Sequence, residues 1–387
     1  MGIRRKNFFL QTAAVIFMFL YTLLRLFDIS TLTAVVDIAG SEQIPMVGLL
    51  ACLFFMKLLN KEDIRGLFFG ILVFFAFLIS NYNGQTNFIT IILLTIGLSN
   101  QNIIPYVKSI YFATMIGLLG ILLMRTIGFI PELTGISPRG NVRYSLGFMS
   151  DRGFSDNYFY FCQLFIFLKY ENLKKVWLII LLVPMIPLYY YNEARATLIL
   201  MILMVVMVWI SKVNRKNMTP LLYRLANITY LLSLVFTVLT AVLYNSLSKT
   251  WVFIDNIFSG RLHLSKFFID NFPPKLLGQQ LPLGLDSGKL WLNYNKNYLM
   301  LDSGYMTMLI EAGILIFTIM TIIILITFKK LRDSRENVSL ILWIIMGLNL
   351  IQTRPLNPTA VQVLQLSKAF GKRTRTYKIV ERETFNK

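Results

Sequence analysis

Residues 192–216 read NEARATLILMILMVVMVWISKVNRK. No charged side chain lies between Arg195 and Lys212, and the segment from 196 to 211 is apolar on every side of a helix. A helix of that kind is buried in a protein core or in lipid. At about 1.5 Å per residue it approaches the thickness of a bilayer's hydrocarbon core. The two ends differ: Lys212, Arg215 and Lys216 crowd one of them, and a lone Glu193–Arg195 pair of charges marks the other. Short loops rich in Lys and Arg belong on the cytoplasmic side of a membrane. This one stretch therefore predicts a membrane helix, its orientation, and a charged group at its outer mouth.

Ten further apolar runs flank it, near 8–24, 44–59, 64–80, 86–99, 104–125, 154–169, 175–191, 220–244, 302–328 and 338–352. The composition agrees. Of 387 residues 56% are apolar and only 15% charged, against about 25% charged in ordinary soluble domains, and the mean hydropathy is +0.62. The predicted fold class is an all-α polytopic integral membrane protein of about 11–12 transmembrane helices, one membrane domain over 1–387. MGIRRK at the start, with no small-residue cleavage site after the first run, predicts an uncleaved first span whose N-terminus is cytoplasmic. Alternation from there puts Lys61/Arg65, Lys108, Lys169/Lys174/Lys175, Lys212/Arg215/Lys216 and Lys329/Lys330/Arg332/Arg335 inside. The basic tail, 371–387, then requires a short twelfth crossing near 355–370 to remain cytoplasmic, through a segment made polar by Gln362 and Gln365. Two outer segments are long, 126–153 and 245–301, and long loops in compact proteins are usually functional.

The charge of +19 follows from 38 basic and 19 acidic residues. Its distribution in short loops is what membrane insertion produces, so nucleic acid is not an expected partner. Cys52 and Cys162 both lie in apolar runs, and His263 is the sole histidine. A disulfide framework and a multi-His metal centre are both excluded. GLDSGKL (284–290) lacks the spacing and the Ser/Thr of a phosphate-binding loop. Neither cofactor nor metal is expected, and any bond formed must draw on a substrate that arrives activated.

Outside the membrane, basic residues run against the insertion bias and call for a purpose. Arg139, Arg143, Arg152, Arg195 and Arg261 are the arginines of the two outer segments and of the 192–197 mouth. A guanidinium keeps its charge and grips phosphate with two parallel donors, so several converging arginines suit a diphosphate. Arg195 is set between apolar spans, where a charge needs a cavity or a partner, and Glu193 is the candidate partner. SGRLHLSKFFIDNFPP (259–274) predicts an amphipathic helix capped by Ser259 and stopped by Pro273 and Pro274. On it His263 and Asp270 share a face, a pairing suited to a general base. In LDSGYMTMLIEAGIL (301–315), Asp302 opens the tenth span with Tyr298 and Tyr305 on one face. Glu311 is expected about 14 Å further in, on the other side of the helix. Tyr189, Tyr190 and Tyr191 end the seventh span, as an aromatic belt or a sugar-stacking surface.

The ordered set RYSLGF (143–148), EARAT (193–197), SGRLHLSKFF with its downstream LLGQ (276–279), and LDSGYMTMLIEAGIL (301–315) resembles the bacterial polysaccharide polymerases of the Wzy type, relatives of the O-antigen ligases. Two departures stand out. Met149-Ser150-Asp151 replaces a His-Pro-Asn-like stretch, and Asp302-Ser303 stands where ligases carry His-Asn, which favours the polymerase branch. The resemblance implies an enzyme of the bacterial cytoplasmic membrane with its active site facing outside. Its substrate would be an undecaprenyl-diphosphate-linked glycan, joined into capsular, O-antigen or other surface polysaccharide. Implied partners are the lipid bilayer, a flippase and a chain-length regulator. It also implies that Arg143, Arg195 and Arg261 hold the diphosphate while Asp302 orients or deprotonates the acceptor, with His263 a second candidate base. Arg139, Tyr191, Tyr298, Tyr305 and Glu311 would line the substrate. Two other readings remain open, a flippase or transporter of lipid-linked oligosaccharide and a ligase-like glycan transferase.

Overall fold

The computed structural model describes residues 3–59, 86–136, 140–214, 218–258, 260–281, 301–353 and 359–370. The run 64–80, Arg139, Ser259, Tyr298 and the tail 371–387 lie outside the described residues. Helices follow the apolar runs: α1 (Ile3–Asp28), α2 (Gln43–Leu59), α3 (Thr86–Gly97), α4 (Ile104–Thr126), α5 (Gly153–Lys169), α6 (Lys175–Leu182), α7 (Met185–Asn192), α8 (Arg195–Val213) and α9 (Met218–Leu243). Then come α10 (Lys249–Ile257), α11 (Arg261–Asn271), α12 (Gly304–Ile310), α13 (Gly313–Asp333), α14 (Asn337–Asn349) and α15 (Val361–Leu366). Among the described residues six helical stretches are long and apolar enough to cross a membrane: Asn7–Asp28, Ile104–Thr126, Lys175–Asn192, Arg195–Val213, Met218–Leu243 and Gly313–Asp333. α2 and α14 are shorter apolar helices. One two-stranded antiparallel hairpin, β1 (Thr134–Ile136) with β2 (Val142–Tyr144), interrupts the helices, pairing Gly135 with Arg143.

α14 is the axis of the bundle. Leu340, Ile341, Leu342, Trp343 and Ile345 are fully buried, because α5, α8, α9, α13 and α15 surround them. A sequence apolar on all sides needs that enclosure.

The basic loops gather at one end. Tyr170 Oη and Ser211 Oγ are 2.8 Å apart, joining the ends of α5 and α8, and Lys212 bonds the Leu173 carbonyl. Thr219 donates to Asn337 Oδ1 at 2.7 Å, and Arg332 lies 4.6 Å over the Tyr223 ring. Lys57, buried, donates to the Ser99 carbonyl and hydroxyl at 2.6 and 2.7 Å. We call this the lysine-rich end.

The structure refines the expected spans. The described part of the segment near 355–370, residues 359–370, runs inside the bundle. It is the six-residue α15 and a 3-10 turn at Ser367–Ala369, packed inside the bundle with Gln362 and Gln365 fully buried. Gln362 donates to Gln163 Oε1 at 2.6 Å and the Leu342 carbonyl at 3.1 Å, and Gln365 to Ser339 Oγ at 3.1 Å. Polar side chains survive there because protein, not lipid, supplies their partners. Lys368 then pairs with Glu336, so the chain returns to the lysine-rich end.

The run 302–328 is not one helix. It breaks after Ile310, and Gly313 restarts it at φ +87. The segment after α11 docks into that break. The amides of Ile314 and Leu315 donate to the Lys275 and Leu276 carbonyls at 3.0 and 3.1 Å, and Gln279 N donates to the Glu311 carbonyl at 3.1 Å. Glu311 therefore sits half-buried at a helix junction and not deep in a span. The run 175–191 is present as the spanning stretch Lys175–Asn192, with a turn at Val183–Pro184, where proline lacks the amide that would continue α6.

Candidate functional site

The far end of the bundle carries two charged clusters. The first is built on the RYSLGF turn. Leu146 and Gly147 take left-handed backbone at φ 54 and 84, and a Cβ on Gly147 would come within 2.8 Å of the Ile121 side chain. Only glycine fits so close an approach at that φ. Glu132 holds the turn: its Oε1 accepts the Leu146 amide at 2.8 Å and its Oε2 pairs with Arg125 at 2.5 Å. The turn aims β2 at the α7–α8 junction. Arg143 there binds Glu193 at 2.8 Å and Asp151 at 2.9 Å. Burial alone disfavours the Arg143 charge, but the two carboxylates more than offset this and raise it above the usual arginine range. Asn141 donates to the other Glu193 oxygen at 2.5 Å.

Glu193 is thus the partner of Arg143, not of Arg195 as the sequence suggested. Glu193 adopts left-handed backbone at φ 50 to close α7, while Arg195 already belongs to the next helix, α8. Arg195, the first residue of α8, is half-buried, and among the described residues no carboxylate pairs with it. Two residues on, Thr197 donates to Asp156 Oδ1 at 2.7 Å, and Arg152 lies 3.6 Å from the same oxygen. Tyr191 is half exposed with its ring edge-on to Tyr144, centroids 5.9 Å apart.

The second cluster surrounds α11. Asp255 on α10, nearly buried, is its hub. One carboxylate oxygen caps α11 by accepting the Leu262 amide at 2.8 Å, and the other lies 3.0 Å from His263 Nδ1. Gly260, not Ser259, occupies the helix-capping position, at φ +79. His263 accordingly does not pair with Asp270, which binds Lys266 at 2.9 Å. Seven residues along a helix share a face but lie about 10 Å apart, beyond direct contact. Burial, and then the Asp255 charge, push the Tyr244 phenol above its ordinary value. Tyr244, Asn245, Ser246, His263, Lys266, Phe267 and Asp270 line an open groove of about 420 Å³. The other face of α11 turns inward, where Arg261 Nε is 3.7 Å from Asp302 Oδ2.

Tyr305 does not share that site. It is fully buried, its hydroxyl donating to the Gly347 carbonyl at 2.9 Å, and its ring packs on Tyr230. It anchors α12 to the bundle and does not line an open surface. The end of α14 lies between the clusters. Gly304 N donates to the Leu350 carbonyl at 2.8 Å, next to Asp302. The neighbouring Asn349 side chain meets the Tyr160 hydroxyl, with Arg25, Arg152 and Asp156 in electrostatic range of it. Arg25 was missed in the sequence because it sits at the end of an apolar run. It bonds the Tyr21 hydroxyl at 2.7 Å and borders a cavity of about 20 Å³ with Thr22, Thr114, Asn157 and Tyr160, room for about one water. Asp255 and Glu132 were missed for another reason, since nothing in their local sequence marks a partner.

Among the described residues no three His, Cys, Asp or Glu side chains come together as a metal site. Among the described residues the far end instead offers Arg195 without a paired carboxylate, the guanidinium–carboxylate contacts of Arg143, Arg152 and Arg261, and a polar groove. Comparison of the chain with protein-family models, with curated proteins and with solved structures finds no match.

Proposed function

We propose that this protein is a membrane glycosyltransferase that polymerises undecaprenyl-diphosphate-linked oligosaccharide repeat units into surface polysaccharide. In this reading the lysine-rich end is cytoplasmic and the far end faces outside, in the bacterial cytoplasmic membrane. The observation that carries it is the Arg261–Asp302 contact at 3.7 Å. It joins an arginine and a carboxylate from two separate motifs at the end of the bundle where Arg152 and Arg195 also lie.

The chemistry needs both kinds of group. A sugar hydroxyl of the incoming unit attacks the anomeric carbon of the growing chain. The bond from that carbon to the diphosphate oxygen breaks, and lipid diphosphate departs with the bonding electrons. Arg195 and Arg261 stabilise the charge that accumulates on it, an effect worth several kcal/mol when donors are pre-placed. Asp302 receives the hydroxyl proton. His263 is a weaker base for this centre: two residues along α11 from Arg261, its side chain leaves the helix about 200° away. Arg143, engaged with Glu193 and Asp151, serves as a clasp between the hairpin and the α7–α8 junction.

The test is purified protein in detergent, with lipid-diphosphate-linked repeat units from its host, no nucleotide and no added metal, and products separated by size. A ladder of oligomers is expected, lost in Arg195→Ala and Arg261→Ala. No ladder from folded protein overturns the polymerase reading, and a scrambling assay in liposomes then tests a flippase.

A further inference from the structure

The groove beside α11 has a composition that the phosphate chemistry does not use. His263, Lys266, Phe267 and Asp270 fall at helical spacing and form one stripe along it. Opposite them stand Tyr244 and Asn245, at the end of α9. Its lysine is compensated, since Lys266 binds Asp270 at 2.9 Å, and the Asp255 carboxylate lies 3.0 Å from the His263 ring. Among the described residues no arginine lines it. A diphosphate would find neither net positive charge nor a two-pronged donor there. What remains is a set of neutral or compensated hydrogen-bonding groups around exposed aromatic surface, Phe267 being 41% exposed. Its volume, about 420 Å³, falls within the range of ligand sites.

We infer that this groove binds the uncharged glycan portion of the substrate, a hydroxyl-rich oligosaccharide, separately from the arginines that take the diphosphate. The inference rests on the polymerase reading and names the subsite that reading needs. A sugar presents hydroxyls at its rim and a patch of C–H groups on its ring face. Asp270, Lys266 and Asn245 match the first, and Phe267 the second. Asp255 fixes the His263 ring through Nδ1, which leaves Nε2 in a set position for one hydroxyl. Because Asp255 also caps α11, the groove wall and its histidine are held by one buried carboxylate.

The experiment uses the full-length protein in detergent and a lipid-free probe, the repeat oligosaccharide released by mild acid from the host's lipid-linked units. Saturation-transfer NMR and calorimetric titration measure binding. The expected result is binding by the wild type, a fall of about tenfold or more in Phe267→Ala, a comparable fall in Asp270→Asn, and retention in Phe267→Trp. Arg195→Ala, outside the groove, should bind the free glycan as the wild type does. Undetectable binding by folded wild type, or unchanged binding in both groove variants, overturns the inference. The size ladder separates this from the broader reading. A ladder with unchanged glycan binding in the groove variants leaves a polymerase with its glycan elsewhere. Groove-dependent binding without a ladder retains the subsite and removes the polymerase.

Discussion

Gly313→Ala tests whether the segment 275–279 is locked to the helix break. Gly313 has φ +87, and a Cβ there would lie 2.1 Å from Gly278 N and 2.7 Å from both the Leu276 O and Leu277 C atoms. All three are backbone, so no rotamer change relieves the clash, and Lys275–Gln279 must withdraw. Withdrawal forfeits the Ile314, Leu315 and Gln279 amide bonds at 3.0, 3.1 and 3.1 Å. At about 1 kcal/mol each, with about 1–2 kcal/mol for alanine in left-handed backbone, the docked state loses roughly 4 kcal/mol. By the tenfold-per-1.4-kcal/mol relation, local opening becomes about a thousandfold more frequent. Hydrogen exchange on the detergent-solubilised protein should show this at Gln279, Ile314 and Leu315, with protection in α9 and α14 unchanged. Because α11 precedes the docked segment and Asp302 precedes the break, the same change should disturb the Arg261–Asp302 contact and reduce polymer, though it alters neither residue. Wild-type exchange rates at those three amides would refute the reasoning.

Other perturbations separate the Arg143 clasp from the proposed diphosphate site. Arg143→Ala removes the guanidinium that Asp151 and Glu193 share, the Glu193 side chain being only 10% exposed. Discounting a buried-pair cost for partial exposure, the loss is about 2 kcal/mol, read as a lower unfolding temperature, whereas Arg195→Ala should leave that temperature unchanged; the reverse ranking refutes the assignment. Asp255→Asn keeps an oxygen for the Leu262 amide, but Asp255→Ala removes the α11 cap at about 1 kcal/mol, so only the alanine variant should speed exchange at Leu262 and His263. A reporter fused after Lys387 should report the same side as one inserted at Ser334–Arg335, since Lys368 pairs with Glu336; opposite sides would contradict the buried return through α15.

The chain's apolar runs foretold most helices because lipid-scale burial is a local property, written in consecutive residues. The broken run 302–328 shows where that fails. MLIEAGIL is apolar enough to read as one span, and no residue in it reveals that Leu276–Gly278 will press on Gly313. The polar 355–370 segment fails in the opposite sense. It looks unfit for a membrane, yet Gln163, Leu342 and Ser339 supply its hydrogen bonds from helices far away in sequence.

The candidate site divides the same way. Sequence by itself singled out the basic loops, the arginines of the two long segments, and Asp302 as a carboxylate near them, since charge and hydropathy are counted along the chain. Tertiary structure decided the partners: Glu193 to Arg143, Asp255 to His263, Arg261 to Asp302. It also buried Tyr305 against Gly347, which withdrew it from the surface. The physical reason is range. Burial in an apolar phase is set residue by residue, but an ion pair or hydrogen bond forms only within about 3–4 Å, and which groups come that close is settled by how the helices pack.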